Sequence, residues 1–246
     1  MALANRSGDA DTRLFMAAPE TALDLVSLLS AHLAPRPGKR RRRKRGGQEY
    51  SPRSRILAGA ARVFGERGFS KSSVEHILRA AGVSRRTFYR FFKNKEDVLV
   101  ELFDTASLLL VQSIRSAAMV GRTPEQKIDN CIEVYLRGPQ VAGPLFQVLN
   151  AEGSRPGSRL AERRAQAIEQ IVDLLGRLIF DEQQRHVDPL LLHALIAGLE
   201  QVSRSVFARS PVSEAEFARA KRVMVHMFAS CMNDDVPLAE ADPDAD

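Results

Sequence analysis

The 246-residue sequence contains no tryptophan, three tyrosines and two cysteines. Cys131 and Cys231 are far apart and match neither a metal-ligand nor a redox spacing, which excludes a disulfide framework, a zinc module and a dithiol centre. So few cysteines suit a reducing compartment. His186, His193 and His226 have no acid or cysteine at ligand spacing, so no metal is expected. No uninterrupted apolar run approaches the roughly 20 residues that span a bilayer. The apolar stretch 22–33 includes Asp24 and His32 and precedes the basic run, whereas a signal peptide carries its positive region first. A soluble, cytoplasmic chain with no membrane partner is expected. There is no phosphate loop, nucleophile motif or dinucleotide fingerprint, so neither an enzyme nor a bound cofactor is expected.

What is present is segregated charge. Residues 1–97 hold 21 basic and 9 acidic residues, a net of +12, whereas residues 98–246 hold 15 and 21, a net of −6. A basic region set apart in this way is the electrostatic footprint of a phosphate-binding surface. Its densest part is an unbroken run of seven cations, Lys39, Arg40, Arg41, Arg42, Arg43, Lys44 and Arg45, flanked by Pro35, Pro37 and Gly46-Gly47. Like charges at this density repel and keep a chain extended. Residues 1–48 therefore read as a disordered basic extension, with a short amphipathic helix from Glu20 to Leu33. The run itself is either a solvated linker or an arm that follows phosphates or enters a minor groove.

From Pro52 the apolar residues recur with helical period, and from Val98 onward there is no convincing strand alternation. Ile56, Leu57, Ala60, Ala61 and Phe64 form one stripe, with Gly68 as its stop. Ser72, three residues before Glu75, has capping-box spacing for a second helix that buries Val74, Ile77, Leu78 and Ala81. Gly82 permits a tight turn, Ser84 caps a third helix, and Asn94 caps a fourth. The third helix has to satisfy two demands at once. With Phe88 pointing inward, Phe91 and Phe92 fall beside it as core, while Arg86 and Arg90 point outward with Thr87 and Tyr89 on the flanks. Arginine is suited to bidentate contact with guanine, and a threonine methyl to contact with thymine. Ser73, Tyr89 and Lys95 can donate to phosphates, as can the backbone N–H groups at the helix starts near Ser73 and Lys95.

The stretch from Arg53 to Phe103 resembles the N-terminal domain of TetR-family transcriptional regulators. RILAGAARVFGERGF is similar to the family's first helix, and SSVEHILRAAGVSRRTFYRFFKNKEDVL to its helix-turn-helix and the start of its fourth helix. The resemblance implies an all-α protein, with an N-terminal three-helix DNA-binding domain followed by a larger helical effector-binding and dimerisation domain. The corresponding expected boundaries are 1–48 extension, 49–97 DNA-binding domain, 98–232 helical ligand-binding domain and 233–246 disordered acidic tail. It also implies that Ser73, Ser84, Tyr89 and Lys95 meet phosphates while Arg85, Arg86 and Thr87 approach bases. The sequence departs from the family pattern at Arg86, where a small residue is common, and at Phe91, where histidine is common.

Beyond residue 98, helices are expected to Val120, over Pro124–Leu136, Leu160–Phe180, Pro189–Phe207 and Ser213–Met232, with interruptions at Gly138-Pro139, Gly143-Pro144 and 153–157. Family likeness makes the last two a homodimer interface. Leu191, Leu195, Leu199 and Val202 form one apolar stripe and Phe217, Val223, Met224, Met227 and Phe228 the other, although core packing within one chain would give the same stripes. A two-fold dimer implies a pseudo-palindromic double-stranded operator. Tyr135, Phe146, Leu149 and Phe180 are candidate lining for a pocket that takes an unidentified small-molecule effector, and Arg155, Arg159, Arg163 and Arg164 are either a solvated face or an anion site. The function expected is a one-component repressor released by its effector. The alternative is a sequence-nonspecific architectural protein that uses the basic arm.

Overall fold

The computed structural model describes residues 51–207 and 212–233. The extension with its Arg40–Arg45 arm, and the acidic tail, lie outside the described residues. Among the described residues there are nine helices and no strand.

Helix α1 (Pro52–Arg67) starts at Ser51, whose hydroxyl accepts the Ser54 N–H at 3.1 Å, and Pro52 occupies a position where no N–H is needed. Its inner face is the expected one, Ile56, Leu57, Ala60, Ala61 and Phe64, all buried. Helix α2 (Val74–Ala81) begins one residue later than the Ser72–Glu75 spacing suggests. Ser73 is the cap, and His76 takes the role expected of Glu75. The His76 N–H donates to Ser73 Oγ at 3.4 Å, and the Ser73 N–H to His76 Nδ1 at 3.3 Å. Ser72 is buried because its hydroxyl closes the end of α1, donating to the Gly68 carbonyl at 2.6 Å. Glu75 is thereby left at the surface.

Helix α3 (Arg85–Phe91) is capped by Ser84, which accepts the Thr87 N–H at 3.1 Å. Phe88 and Phe92 are buried as expected, but Phe91 is not: 36% of it is exposed, and the Arg90 guanidinium lies 4.7 Å from its ring centre. Helical spacing misplaces Phe91 because the helix ends there. Phe92 adopts an extended conformation (φ −138°, ψ 140°) and so reaches the core from outside the helical repeat. Helix α4 (Lys95–Val120) starts at Asn94, whose Oδ1 accepts the Asp97 N–H at 2.8 Å, and rises about 39 Å over its 26 residues.

Helix α5 (Pro124–Ala142) runs through Gly138-Pro139, where an interruption is expected from the sequence. Pro139 is tolerated because it lies in the last turn, close to Gly143, which takes the left-handed φ of 55° that ends the helix. Helices α6 (Pro144–Ser154), α7 (Arg159–Gln183), α8 (Pro189–Phe207) and α9 (Glu214–Asn233) follow. Ser213 and Glu216 form a capping box ahead of α9: the Glu216 N–H donates to Ser213 Oγ at 3.2 Å, and the Ser213 N–H to Glu216 Oε2 at 3.0 Å.

The described residues fall into two compact units. One holds residues 51–109 and 138–166; the other holds 110–137, 167–207 and 212–233. This division differs from the 97/98 boundary expected from the sequence. In the first unit α6 packs onto α1, where a Cβ at Gly65 would lie 3.3 Å from both the Leu145 nitrogen and the Pro144 side chain. In the second unit Lys221 of α9 pairs with Asp129 of α5 at 2.8 Å and with Glu133, while Arg137 covers the Phe217 ring. There α8 buries Leu192, Leu195, Ile196, Leu199 and Phe207, and α9 buries Phe217, Ala220, Met224 and Phe228. Five residues of the stripes assigned to a dimer (Leu195, Leu199, Phe217, Met224 and Phe228) are therefore core of the protomer itself. Val223 of the second stripe is 52% exposed, and Leu190, outside both stripes, is 74% exposed. By length and composition α8 could cross a membrane, with a mean hydropathy of 1.2. A third of that stretch, Leu192, Leu195, Ile196 and Leu199 among it, is buried inside the fold.

Candidate nucleic-acid interface

The α2–α3 turn is held from outside its own sequence. Gly82 takes a left-handed conformation (φ 61°, ψ 41°). The Arg55 guanidinium of α1 donates to the Ala81 carbonyl at 3.1 Å and also to the Gly82 carbonyl, so α1 caps the end of α2. Close approach of α1 and α2 depends on Gly59: a Cβ there would lie 2.8 Å from the Ala81 nitrogen. Arg55 carries no signal in the sequence, because a basic residue early in a helix shows no motif of its own.

The outer face carries the candidate residues. Arg86 is exposed and has no recorded partner among the described residues. Tyr89 is 49% exposed, with its ring edge-on to Phe88 at 5.3 Å, so its hydroxyl end faces solvent on a fixed base. Arg90 is stacked on Phe91. Arg85 is ion-paired to Glu75 across the turn. Three hydroxyls are engaged locally: Ser84 Oγ and Thr87 Oγ1 are 2.9 Å apart, and Ser73 Oγ lies 3.2 Å from His76 Nδ1. Lys95 behaves differently from the phosphate donor expected. Its ammonium donates to the Phe69 carbonyl at 2.9 Å and to the Ser72 carbonyl at 2.8 Å, and sits 4.4 Å from the Phe69 ring centre. Two of its three donors thus fasten the loop between α1 and α2.

The arginine cluster of α7 is resolved into ion pairs. Asp97, Glu101 and Asp104 lie one or two turns apart along one stripe of α4. Arg159 pairs with Asp97 at 2.7 Å, Arg163 with Asp104 at 2.8 Å, and Arg53 of α1 with Glu101 at 2.7 Å. The Arg159 hydrogen bond holds the Asp97 carboxyl below its usual range, while burial raises that of Glu101, whose Oε1 is buried without a hydrogen-bond partner among the described residues. Arg155 pairs with Glu152 at 2.8 Å. This face is a clasp within the first unit rather than an open anion site.

The second unit contains a cavity of about 100 Å³. Helices α4, α5, α7, α8 and α9 supply its wall, through residues such as Ile114, Ile132, Leu175, Ile179, Ile196 and Phe228. Lys127, Gln183 and the Tyr135 and Cys131 side chains are its few polar elements. Burial pushes the Cys131 thiol up to about 12, so it behaves as a neutral apolar group. Of the four lining residues expected, Tyr135 alone is placed there. Phe146 and Leu149 belong to the first unit, and Phe180 is 36% exposed and stacked on His186 at 4.5 Å. The aliphatic wall was not legible because an Ile or Leu that lines a cavity sits in the same helical stripe as one that packs the core. Among the described residues no cluster of three or more His, Cys, Asp or Glu could hold a metal.

A capped helix pair with a glycine turn, an aromatic inner face and an arginine-rich outer face defines a helix-turn-helix DNA-binding protein. Residues 56–102 match the family described as "Bacterial regulatory proteins, tetR family". The chain is 25% identical over 137 residues to an uncharacterized HTH-type transcriptional regulator of Haemophilus influenzae, covering 56% of this chain and 67% of that protein. It is 39% identical over 112 residues to the HTH-type transcriptional regulator EthR of Mycolicibacterium smegmatis, covering 45% of each. The fold is shared with the transcriptional regulator FadR from Bacillus subtilis, solved in complex with stearoyl-CoA, with a TM-score of 0.63, 18% identity and coverage of 72% and 97%. Residues 56–102 thus carry a TetR-type DNA-binding domain, and the relatives that the chain resembles are named as transcriptional regulators.

Proposed function

We propose that this regulator is a homodimeric repressor that leaves a pseudo-palindromic operator when an apolar effector enters the cavity of its second unit. The observation that carries this reading is the pairing, in one chain, of an arginine-rich α3 with an aliphatic cavity formed by separate helices. Arg86 and Arg90 would read base edges, with Thr87 beside them. Tyr89, Ser73, Ser84 and the backbone at the start of α4 near Lys95 would set the register on phosphates. Arg85 approaches the bases together with its partner Glu75. The second copy would dock on the residues of α8 and α9 left outside the protomer core, Leu190 and Val223 foremost.

The cavity fits a neutral chain better than a polar ring, because its wall offers dispersion contacts and few hydrogen-bond partners. At about 10–15 Å³ per water-sized position it has room for roughly seven to ten heavy atoms. The stearoyl-CoA held by the FadR of B. subtilis favours an acyl chain, with any bulky head group left outside. An effector can shift the protein only through different affinity for the DNA-competent and incompetent forms. The test is selection of bound DNA from genomic fragments, followed by titration of the purified complex with alkanoic acids and their coenzyme A esters of increasing length. Release at one chain length, with no release by polar analogues, is expected. A selected motif that no apolar ligand releases would refute the effector half of the proposal.

A further inference from the structure

The stretch between Arg67 and Lys95 contains one acid, Glu75, amid Lys71, Arg79, Arg85, Arg86, Arg90 and Lys93. An acid is an unfavourable neighbour for a surface that must approach phosphates. A first-turn acid does favour its own helix, by about 0.3–1 kcal/mol, and that is the plain reason for one at this position of α2. Yet Glu75 does not remain a free cap residue. It reaches across the turn to Arg85, ten residues on, at the first position of α3, and both side chains are more than half exposed. Arg86, the next residue, has no such tie. Two adjacent arginines at the start of the reading helix are therefore in different states: one restrained by a carboxylate on α2, the other unrestrained.

An exposed ion pair of this kind adds little to folding. Its consequence is geometric. A guanidinium has five donors in a planar fork, and a carboxylate that occupies one edge leaves the others pointing in a fixed direction. A restrained arginine is slower to swing onto the nearest phosphate, where it would add affinity without discrimination.

We propose that Glu75 is a positioning residue for DNA recognition: it holds Arg85 in place for base contact, withholds it from the phosphate backbone, and so raises the ratio of specific to nonspecific binding. This rests on the base-reading assignment of the α3 arginines made above.

The test compares wild type, Glu75→Gln, Arg85→Ala and the double variant, each as the full chain. Affinity is measured over a range of salt on DNA selected by the wild type and on scrambled DNA. For Glu75→Gln, binding to scrambled DNA should tighten by roughly threefold to tenfold, the plot of log affinity against log salt should steepen by about 0.9 for one added phosphate contact, and the specificity ratio should fall. In the Arg85→Ala background the Glu75→Gln change should leave both slope and ratio unmoved, because Glu75 acts through Arg85. An equal effect of Glu75→Gln in both backgrounds would show simple removal of a repulsive charge and overturn the proposal. So would an unchanged slope and ratio in the single variant. If the wild type itself selects no motif, the base-reading assignment fails first, and the two failures are told apart.

Discussion

Gly59 and Gly176 both lie inside helices, α1 and α7, and replacing each with alanine should move stability in opposite directions. Alanine is better than glycine in a helix interior by about 0.8–1 kcal/mol, so propensity alone predicts the same stabilisation at both positions. At Gly176 a Cβ would meet only the Leu192 Cδ1 at 3.8 Å, an ordinary contact, and the propensity gain should appear in full. At Gly59 the added methyl would lie 2.8 Å from the Ala81 nitrogen and 3.0 Å from the Ala81 Cα and Cβ. These atoms cannot rotate away as a side chain could, and Arg55 fixes the Ala81 carbonyl as well. Helices α1 and α2 must separate instead. Overpacking costs about 1–3 kcal/mol, and a clash against backbone belongs in the upper half of that range. Set against the propensity gain, Gly59→Ala should be net destabilising by about 1–2 kcal/mol, and the two variants should differ by about 2–3 kcal/mol. For a chain of this length, 1 kcal/mol moves the Tm by roughly 2–4 °C. Thermal and urea unfolding of both variants would measure the difference, and DNA binding of Gly59→Ala should weaken as well. A Gly59→Ala protein as stable as Gly176→Ala would refute the close packing of α1 on α2.

At the DNA surface, Arg86→Ala should change the motif recovered by selection, whereas Tyr89→Phe should weaken binding to all sequences alike; the same motif from Arg86→Ala would remove it from base reading. In the cavity, Leu175→Trp should abolish binding of an apolar environment-sensitive dye without loss of DNA affinity, and persistent dye binding would place the ligand elsewhere. Cys131 gives a pH signature. Its thiol ionises near 9.0 when unfolded but is pushed up to about 12 when folded, so above pH 9 the unfolded state loses a proton that the folded state keeps. Stability should therefore fall as pH rises, by up to about 1.4 kcal/mol per pH unit between 9 and 12. The difference between wild type and Cys131→Ala in urea midpoints isolates this contribution, and parallel curves would contradict it.

Helix positions were legible wherever a cap residue and an apolar stripe coincide, as at Ser84 and Asn94. Errors arose where two residues of one type competed for one role. Ser72 and Ser73 are equivalent as letters, and only the need of α1 for a closing hydroxyl sends Ser72 inward. Phe91 and Phe92 are likewise ambiguous until the end of the helix is known. Periodicity finds an apolar face but not what the face meets. This is why the α8 and α9 stripes read equally as subunit interface and as protomer core. The basic cluster of α7 shows the same limit, because the acids that satisfy Arg159 and Arg163 lie about sixty residues away on α4.

The contacts of Arg55, Gly59 and Lys95 bear on what could be cut out of this chain and grafted elsewhere. The residues proposed to face DNA lie within Ser73–Lys95, but the turn between their helices is fastened by α1, and the loop before them by a side chain at the start of α4. A bare helix-turn-helix transplanted to another scaffold would arrive without these fasteners and lose its geometry. The smallest portable reader is therefore the whole segment from Ser51 into α4, and the residues that must stay together outnumber those proposed to touch DNA.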